Sequence, residues 1–147
     1  YPLSTFEAAV KNLHARNLEV IVHTILGLPG ESSEQMLETI NYLNCQPIQG
    51  IKLQLLHVLK GTDLADDYLA GKFQTLSREE YLDLLISCLE HLSPDLVIHR
   101  VTGDGPKNLL IAPLWSSAKR SVLNDLHHIM KVRNTWQGRL YKEDLYD

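Results

Sequence analysis

The sequence predicts an α/β fold in which three parallel strands alternate with helices. Three observations carry that prediction. Apolar, largely β-branched runs occur at Val20–Leu26, Ile51–Leu59 and Leu96–Val101, the composition of strands buried in a parallel sheet. Each run is preceded by a segment of helical periodicity. Each also carries a histidine four residues before a glycine: His23 with Gly27, His57 with Gly61, and His99 with Gly103. Ligands in such sheets lie beyond the carboxyl ends of the strands, where glycine lets the backbone turn sharply or approach a ligand. Chemistry is therefore expected around residues 23–31, 57–63 and 99–107.

The elements follow in order. Ser4 with Glu7, Ser32 with Gln35, and Ser77 with Glu80 fit the capping box, in which each partner satisfies a free backbone N–H of the other. After them come the apolar stripes Phe6, Val10, Leu13; then Met36, Leu37, Ile40, Leu43; then Tyr81, Leu84, Leu85, Cys88, Leu89, Leu92. A fourth helix is expected over about residues 117–133, with Val122, Leu123, Leu126, Ile129 and Met130 inward. An insert over roughly residues 60–76 holds room for one short helix. Residues 1–133 form the body, and 134–147 a polar tail bearing Trp136, Tyr141 and Tyr146.

Composition narrows the class. The chain has 147 residues, 44% hydrophobic and 22% charged, enough for one packed core. No apolar stretch approaches the roughly 20 residues that span a bilayer, and no secretory leader opens the chain, so a cytoplasmic location is expected. The net charge of −4 gives no bulk attraction for nucleic acid. The two cysteines, Cys45 and Cys88, form no C-x-x-C pair. Cys88 falls on an apolar stripe and reads as a core thiol.

Three strands cannot close a barrel, which takes about eight in the ordinary case. The chain therefore reads as the C-terminal part of a larger barrel or sheet, and its unpaired edge is expected to favour self-association. The sharpest local motif is His23-Thr-Ile-Leu-Gly-Leu-Pro-Gly-Glu31, a strand end running into a capped helix. Its glycines and helix terminus suit a nucleotide-like ligand. The same pattern also serves as a plain strand-to-helix turn.

Gly27-Leu-Pro-Gly-Glu31, Leu55-Leu-His-Val-Leu-Lys-Gly-Thr62, His99-Arg-Val-Thr-Gly-Asp-Gly-Pro106, Leu109-Leu-Ile-Ala-Pro-Leu-Trp115 and Met130-Lys-Val-Arg-Asn-Thr-Trp-Gln-Gly138 together resemble the C-terminal half of radical S-adenosylmethionine proteins. The nearest group is the YhcC-like family, similar to the radical half of the elongator catalytic subunit. The resemblance implies a partial (β/α)6 TIM-like barrel, of which these are the last three strands. It implies that S-adenosylmethionine is cleaved reductively to a 5′-deoxyadenosyl radical, and that its adenine meets Ile25, Gly27, Leu56 and His57. His23 stands where the family often has glycine. The family's three-cysteine motif is not in this sequence, so the [4Fe–4S] cluster has no ligands here, and the chain alone is expected to be inactive. The missing N-terminal half is the implied partner, and a tRNA-related substrate is consistent with the elongator likeness.

Strand-end position and side-chain chemistry give His57, His99, Arg100 and Asp104 as catalytic candidates, and Lys60, Thr102 and Lys107 as substrate contacts. Because side chains alternate along a strand, one of His99 and Arg100 is expected to face the helix layer. Two other classes stay open. One is a zinc site built from the three histidines. The other is a non-catalytic module docking RNA or a protein through Lys119, Arg120, Arg133, Arg139 and Trp136.

Overall fold

A computed structural model describes residues 1–103 and 105–143. The elements run α1 (Leu3–His14), β1 (Ile21–Leu26), α2 (Ser33–Asn44), β2 (Gly50–Leu55), β3 (Val58–Leu59), α3 (Asp63–Leu69), α4 (Arg78–His91), β4 (Val97–Arg100), β5 (Leu110–Ala112), a 3-10 turn at Leu114–Ser117 and α5 (Lys119–Val132). Strands β1, β2 and β4 form a parallel sheet in that order, with β1 and β4 at its edges. The expected α/β alternation and open parallel sheet are what the chain forms.

Helices cover one face of the sheet only. Thr24, Leu26, Ile51, Leu53 and Leu55 are buried there with Ile40, Leu43, Tyr81, Leu85 and Leu89. The other face carries Ile21, His23, Ile25, Gly50, Lys52 and Gln54, of which Ile25 is 44% exposed. The strands are therefore not buried on both faces, as their composition suggested. The alternation Ile51-Lys-Leu-Gln-Leu55 follows from that, since only one side of β2 is dry.

Helix α4 is the centre of the core. Tyr81, Leu82, Leu84, Leu85, Ile86, Cys88 and Leu89 are all buried, so the helix is enclosed well beyond the expected stripe. The Tyr81 hydroxyl donates to the Val101 carbonyl at 2.5 Å, tying α4 to the end of β4. Both the Ser32–Gln35 and Ser77–Glu80 capping boxes form. The Ser4–Glu7 box does not. Helix α1 starts two residues earlier with Pro2 as its uncapped N-cap, and the Glu7 carboxylate accepts from the Tyr42 hydroxyl instead. Leu13 is 39% exposed and only Val10 of α1 is buried, so this helix packs far more lightly than its stripe predicts.

The second apolar run is not one strand. It leaves the parallel sheet after Leu55, and Val58–Leu59 pairs antiparallel with Leu110–Ala112. This small ribbon carries its own apolar cluster of Val58, Ala65 and Ala112, with Tyr68 and Phe73 against it. The described part of the tail is fastened to α4. Gly138 and Leu140 donate backbone N–H groups to the Leu89 and Glu90 carbonyls, and Gln137 bridges the Ser93 and Leu96 carbonyls at 2.8 Å each.

Two outcomes follow. Ser77→Ala should lower stability by about 1 kcal/mol in denaturant titration, the usual value of an N-cap hydroxyl; no change would mean that the box leaves α4 unaffected. Burial pushes the Cys88 thiol up to about 12, whereas Cys45 is exposed. A thiol reagent should therefore label one site rapidly in the native protein and the second only on unfolding. Rapid labelling of both would refute the enclosed α4.

Candidate functional site

The uncovered face and the strand ends beside it form the candidate site. Its first wall is the turn after β1. Leu28, Pro29, Gly30 and Glu31 make a tight turn closed by Glu31 N–H to the Leu28 carbonyl at 3.1 Å, with Gly30 at φ +77°. Proline at the second position and a positive φ at the third are the marks of a type II turn. Gly27 has φ +85°, and a Cβ there would lie 3.1 Å from Leu76 Cδ1. Backbone conformation and Leu76 thus require this glycine before any ligand does. A valine at position 27 would be strained in the free protein, so loss of ligand binding in that variant would not isolate a ligand contact.

His57 lies just beyond β2, in the two-residue break before β3, not within a strand like His23 and His99. The repeated histidine-to-glycine spacing therefore marks three different settings. The His57 ring is packed between two glycines. A Cβ on Gly103 would fall 2.5 Å from His57 Nε2, and one on Gly105 2.7 Å from Nδ1, so only glycine leaves room for the ring. Ile25, Gln54, Leu55, Leu56, His57 and Arg100 surround a cavity of about 280 Å³ at this place. One side is apolar and the other carries hydrogen-bonding groups, a lining suited to a flat heterocycle with a polar edge.

His99 and Arg100 are not divided between the two faces. The pairing of β4 with β2 shifts between Ile51–Ile98 and Lys52–Arg100, so two residues of β4 answer one step of β2. Such irregularities re-aim side chains. His99 lies over Gly50, where a Cβ would come 2.7 Å from its Nε2. Arg100 reaches the cavity that Ile25 and Gln54 line. Both are therefore on the uncovered side, which corrects the expectation from strict alternation.

The remaining candidates are spread around this site. Lys60 is exposed at the end of the β3–β5 ribbon, its N–H bonded to the Leu109 carbonyl at 2.8 Å. Thr102 borders an apolar groove with Leu123, Leu126 and Met130 along the edge of β4. Lys107 is exposed and lines, with His57, Ser116 and Lys119, a small cavity of about 150 Å³. Asp104 lies outside the described residues. The sequence reading passed over Lys52 and Gln54, which stand on the uncovered face between His23 and the residues of β4. Their alternation with Ile51, Leu53 and Leu55 was the available signal. It also passed over Glu31, whose Oε2 is buried without a hydrogen-bond partner among the described residues. Glu31 borders a groove of about 890 Å³ along the free edge of β1.

The zinc reading loses its geometry. Among the described residues no three His, Cys, Asp or Glu side chains come together as a metal site. The three-histidine zinc reading fails because His57 sits in the break after β2 while His23 and His99 stand on the sheet. Two cations of the basic patch near the tail pair with helix α4. Arg133 pairs with Asp83 at 2.6 Å, and Arg139 pairs with Glu90. No helix among the described residues is long and apolar enough to cross a membrane.

Residues 48–145 match the Radical_SAM C-terminal domain family. The chain belongs to that family. It is 36% identical over 142 residues to protein YtqA of Bacillus subtilis, covering 97% of this chain and 44% of the relative. It is 37% identical over 139 residues to protein MJ0486 of Methanocaldococcus jannaschii, covering 94% and 43%. Protein YhcC of Escherichia coli is 30% identical over 115 residues, covering 78% and 37%. The chain thus spans less than half the length of these relatives. Among solved structures, the archaeal Methanocaldococcus infernus Elp3 with its N-terminus deleted superposes with a TM-score of 0.78 at 17% identity, over 93% of this chain and 32% of that one. The fold is shared with it.

If His57 is held by the glycine pair, Gly103→Ala should destabilise the chain by about 1–3 kcal/mol through overpacking. The double variant Gly103→Ala/His57→Ala should recover most of that loss, since the ring is gone. Absence of recovery in a double-mutant cycle would show that the glycine serves something else.

Proposed function

We propose that the chain forms the C-terminal half of the barrel of a radical S-adenosylmethionine enzyme, lining the adenosine and substrate side of its cavity. The uncovered polar face of the sheet carries this reading, because a parallel sheet with one bare face needs further chain to complete it. Bound S-adenosylmethionine would supply, on reductive cleavage, a 5′-deoxyadenosyl radical that takes hydrogen from the substrate. Ile25 and Leu56 offer the adenine an apolar wall, and Gln54 and His57 offer its edge hydrogen bonds. Gly27 holds the turn that ends this wall. Thr102 and Lys107 border the same strand ends on the substrate side, with Lys60 further out.

A [4Fe–4S] cluster does not fit the residues of this chain. Cys45 and Cys88 are its cysteines, and Cys88 is buried as a neutral thiol in the core. No step of the reaction is assigned to this chain through the cluster, whose ligands would come from the other half of the longer protein. That half would dock along the free edge of β1, in the groove that holds Val22, Thr24 and Glu31. The chain by itself would be inactive and would self-associate through the same edge. A cytoplasmic setting and a tRNA-related substrate belong to the same reading; the exposed cations Arg120 and Lys131 of α5 would meet its phosphates.

The test is anaerobic reduction of the reconstituted full-length protein with S-adenosylmethionine, following 5′-deoxyadenosine by chromatography. Product should form, and Ile25→Asp should weaken cofactor binding by about tenfold, by placing a carboxylate in the adenine wall. Val132→Asp, at a position 70% exposed on α5, should leave binding unchanged. No 5′-deoxyadenosine, or equal affinity for wild type and Ile25→Asp, would overturn the assignment.

A further inference from the structure

The groove along the free edge of β1 holds a carboxylate without a counterpart. Strand β1 pairs with β2 alone, and the consecutive residues 22–26 line the groove, so it follows the strand's unpaired side. Leu26, Met36 and Leu43 give it a buried apolar floor. Glu31 stands where the carboxyl end of β1 runs into α2, its backbone fixed by the turn of residues 28–31. Its Oε2 is buried with no hydrogen-bond partner among the described residues. Hydroxyl donors lining the same groove are engaged elsewhere: Thr39 donates to the Gln35 carbonyl at 3.2 Å, and Tyr42 to the Glu7 carboxylate at 3.0 Å. Glu31 and Glu38 line the groove, and among the described residues no Lys or Arg does. A carboxylate oxygen shut away from water and left unpaired is costly. Chain that covers this groove is therefore expected to bring the missing partner.

We infer that Glu31 is the receptor for a cationic side chain, Lys or Arg, carried by the half of the protein that completes the sheet. The inference rests on the barrel reading, in which that half supplies the strand beside β1. Charge argues for this occupant: the groove offers carboxylates and no Lys or Arg, so a basic residue fits it and an acidic one is repelled. Parallel strands run in the same direction, which puts the cation at or just beyond the carboxyl end of the incoming strand. Its N–H groups would donate a charge-assisted hydrogen bond to Oε2. Backbone groups along a free edge accept a new strand by the same bonds at any register, and a sheet face that is not buried specifies register weakly. An ion pair at the strand end separates the alternatives, because a slip of one residue carries the cation about 3.3 Å away. Glu31 is thus a positioning residue that pins the register between the two halves.

The experiment follows amide hydrogen exchange along β1 in the full-length reconstituted protein by mass spectrometry. Wild type should exchange slowly over residues 22–26, because both sides of the strand are paired. Glu31→Gln should speed that exchange about tenfold, the scale of one hydrogen bond to a charged group. Glu34→Gln, exposed on α2 outside the groove, should leave it near wild type. Glu31→Lys should speed it further, and a second substitution to Glu at one Lys or Arg near a strand end of the other half should restore slow exchange. Such a charge-swap rescue identifies the cation and is not produced by a merely local role of Glu31. Should Glu31→Lys fail to fold, the same basic positions are changed to Met in double-mutant cycles with Glu31→Gln, where one pair should be non-additive. Unchanged exchange in Glu31→Gln, or neither rescue nor non-additivity at any basic position, would overturn the inference. Protection in the wild type that rises with protein concentration would give the groove to a second copy of the chain and overturn it as well. Fast wild-type exchange along β1 would sink the barrel reading and this inference with it, whereas slow exchange indifferent to Glu31 would leave that reading standing and remove only the pin.

Discussion

Everything in this chain hangs on the burial of α4 against one face of a parallel sheet. Tyr81, Leu85 and Leu92 of that region are fully enclosed, and so are the sheet residues Ile51 and Leu53 that they meet. Fully burying one such side chain contributes about 1.5–3 kcal/mol, so this contact dominates the apolar stabilisation. The sheet's other face gains none of it. Side chains there are released from packing duty, and their identity is open to the demands of chemistry. Polar residues can therefore stand in the middle of otherwise apolar strands.

The second constraint is the break at Leu56–His57. After Leu55 the chain leaves the sheet and returns as half of a ribbon with β5. The ribbon brings the segment after β4 back beside the end of β2, which is how Gly103 and Gly105 come to enclose an imidazole from a distant part of the sequence. Antiparallel pairing of only two and three residues stabilises little on its own. Its contribution is placement, since it fixes the ring where the strand ends converge.

Strand and helix identity were legible because they depend on local periodicity. Ser32 with Gln35 and Ser77 with Glu80 signalled their helices correctly, since a capping box satisfies itself within one turn. Ser4 and Glu7 carry the same pattern, but a tyrosine from α2 claims the carboxylate, and no local rule could say so. The split of Ile51–Leu59 was likewise hidden, because its partner strand lies more than fifty residues on. The face carrying Lys52 and Gln54 was legible in principle from strict alternation, but the run's high apolar content obscured it. The placement of His99 and Arg100 was not legible, because a shift of register between two strands leaves no mark in either one.

The contact between Gly50 and His99 reaches into the divergence of these proteins. Gly50 is in a strand, where a residue with a side chain fits the backbone well, so the glycine is there because an imidazole lies across it. The two positions are forty-nine apart in the chain but act as one unit of inheritance. A relative that acquires even an alanine at the first must hold its second residue in a different rotamer, or replace it. The repertoire of the cavity can thus drift through a position that never touches a ligand, and covariation between these two places is where that drift should be visible.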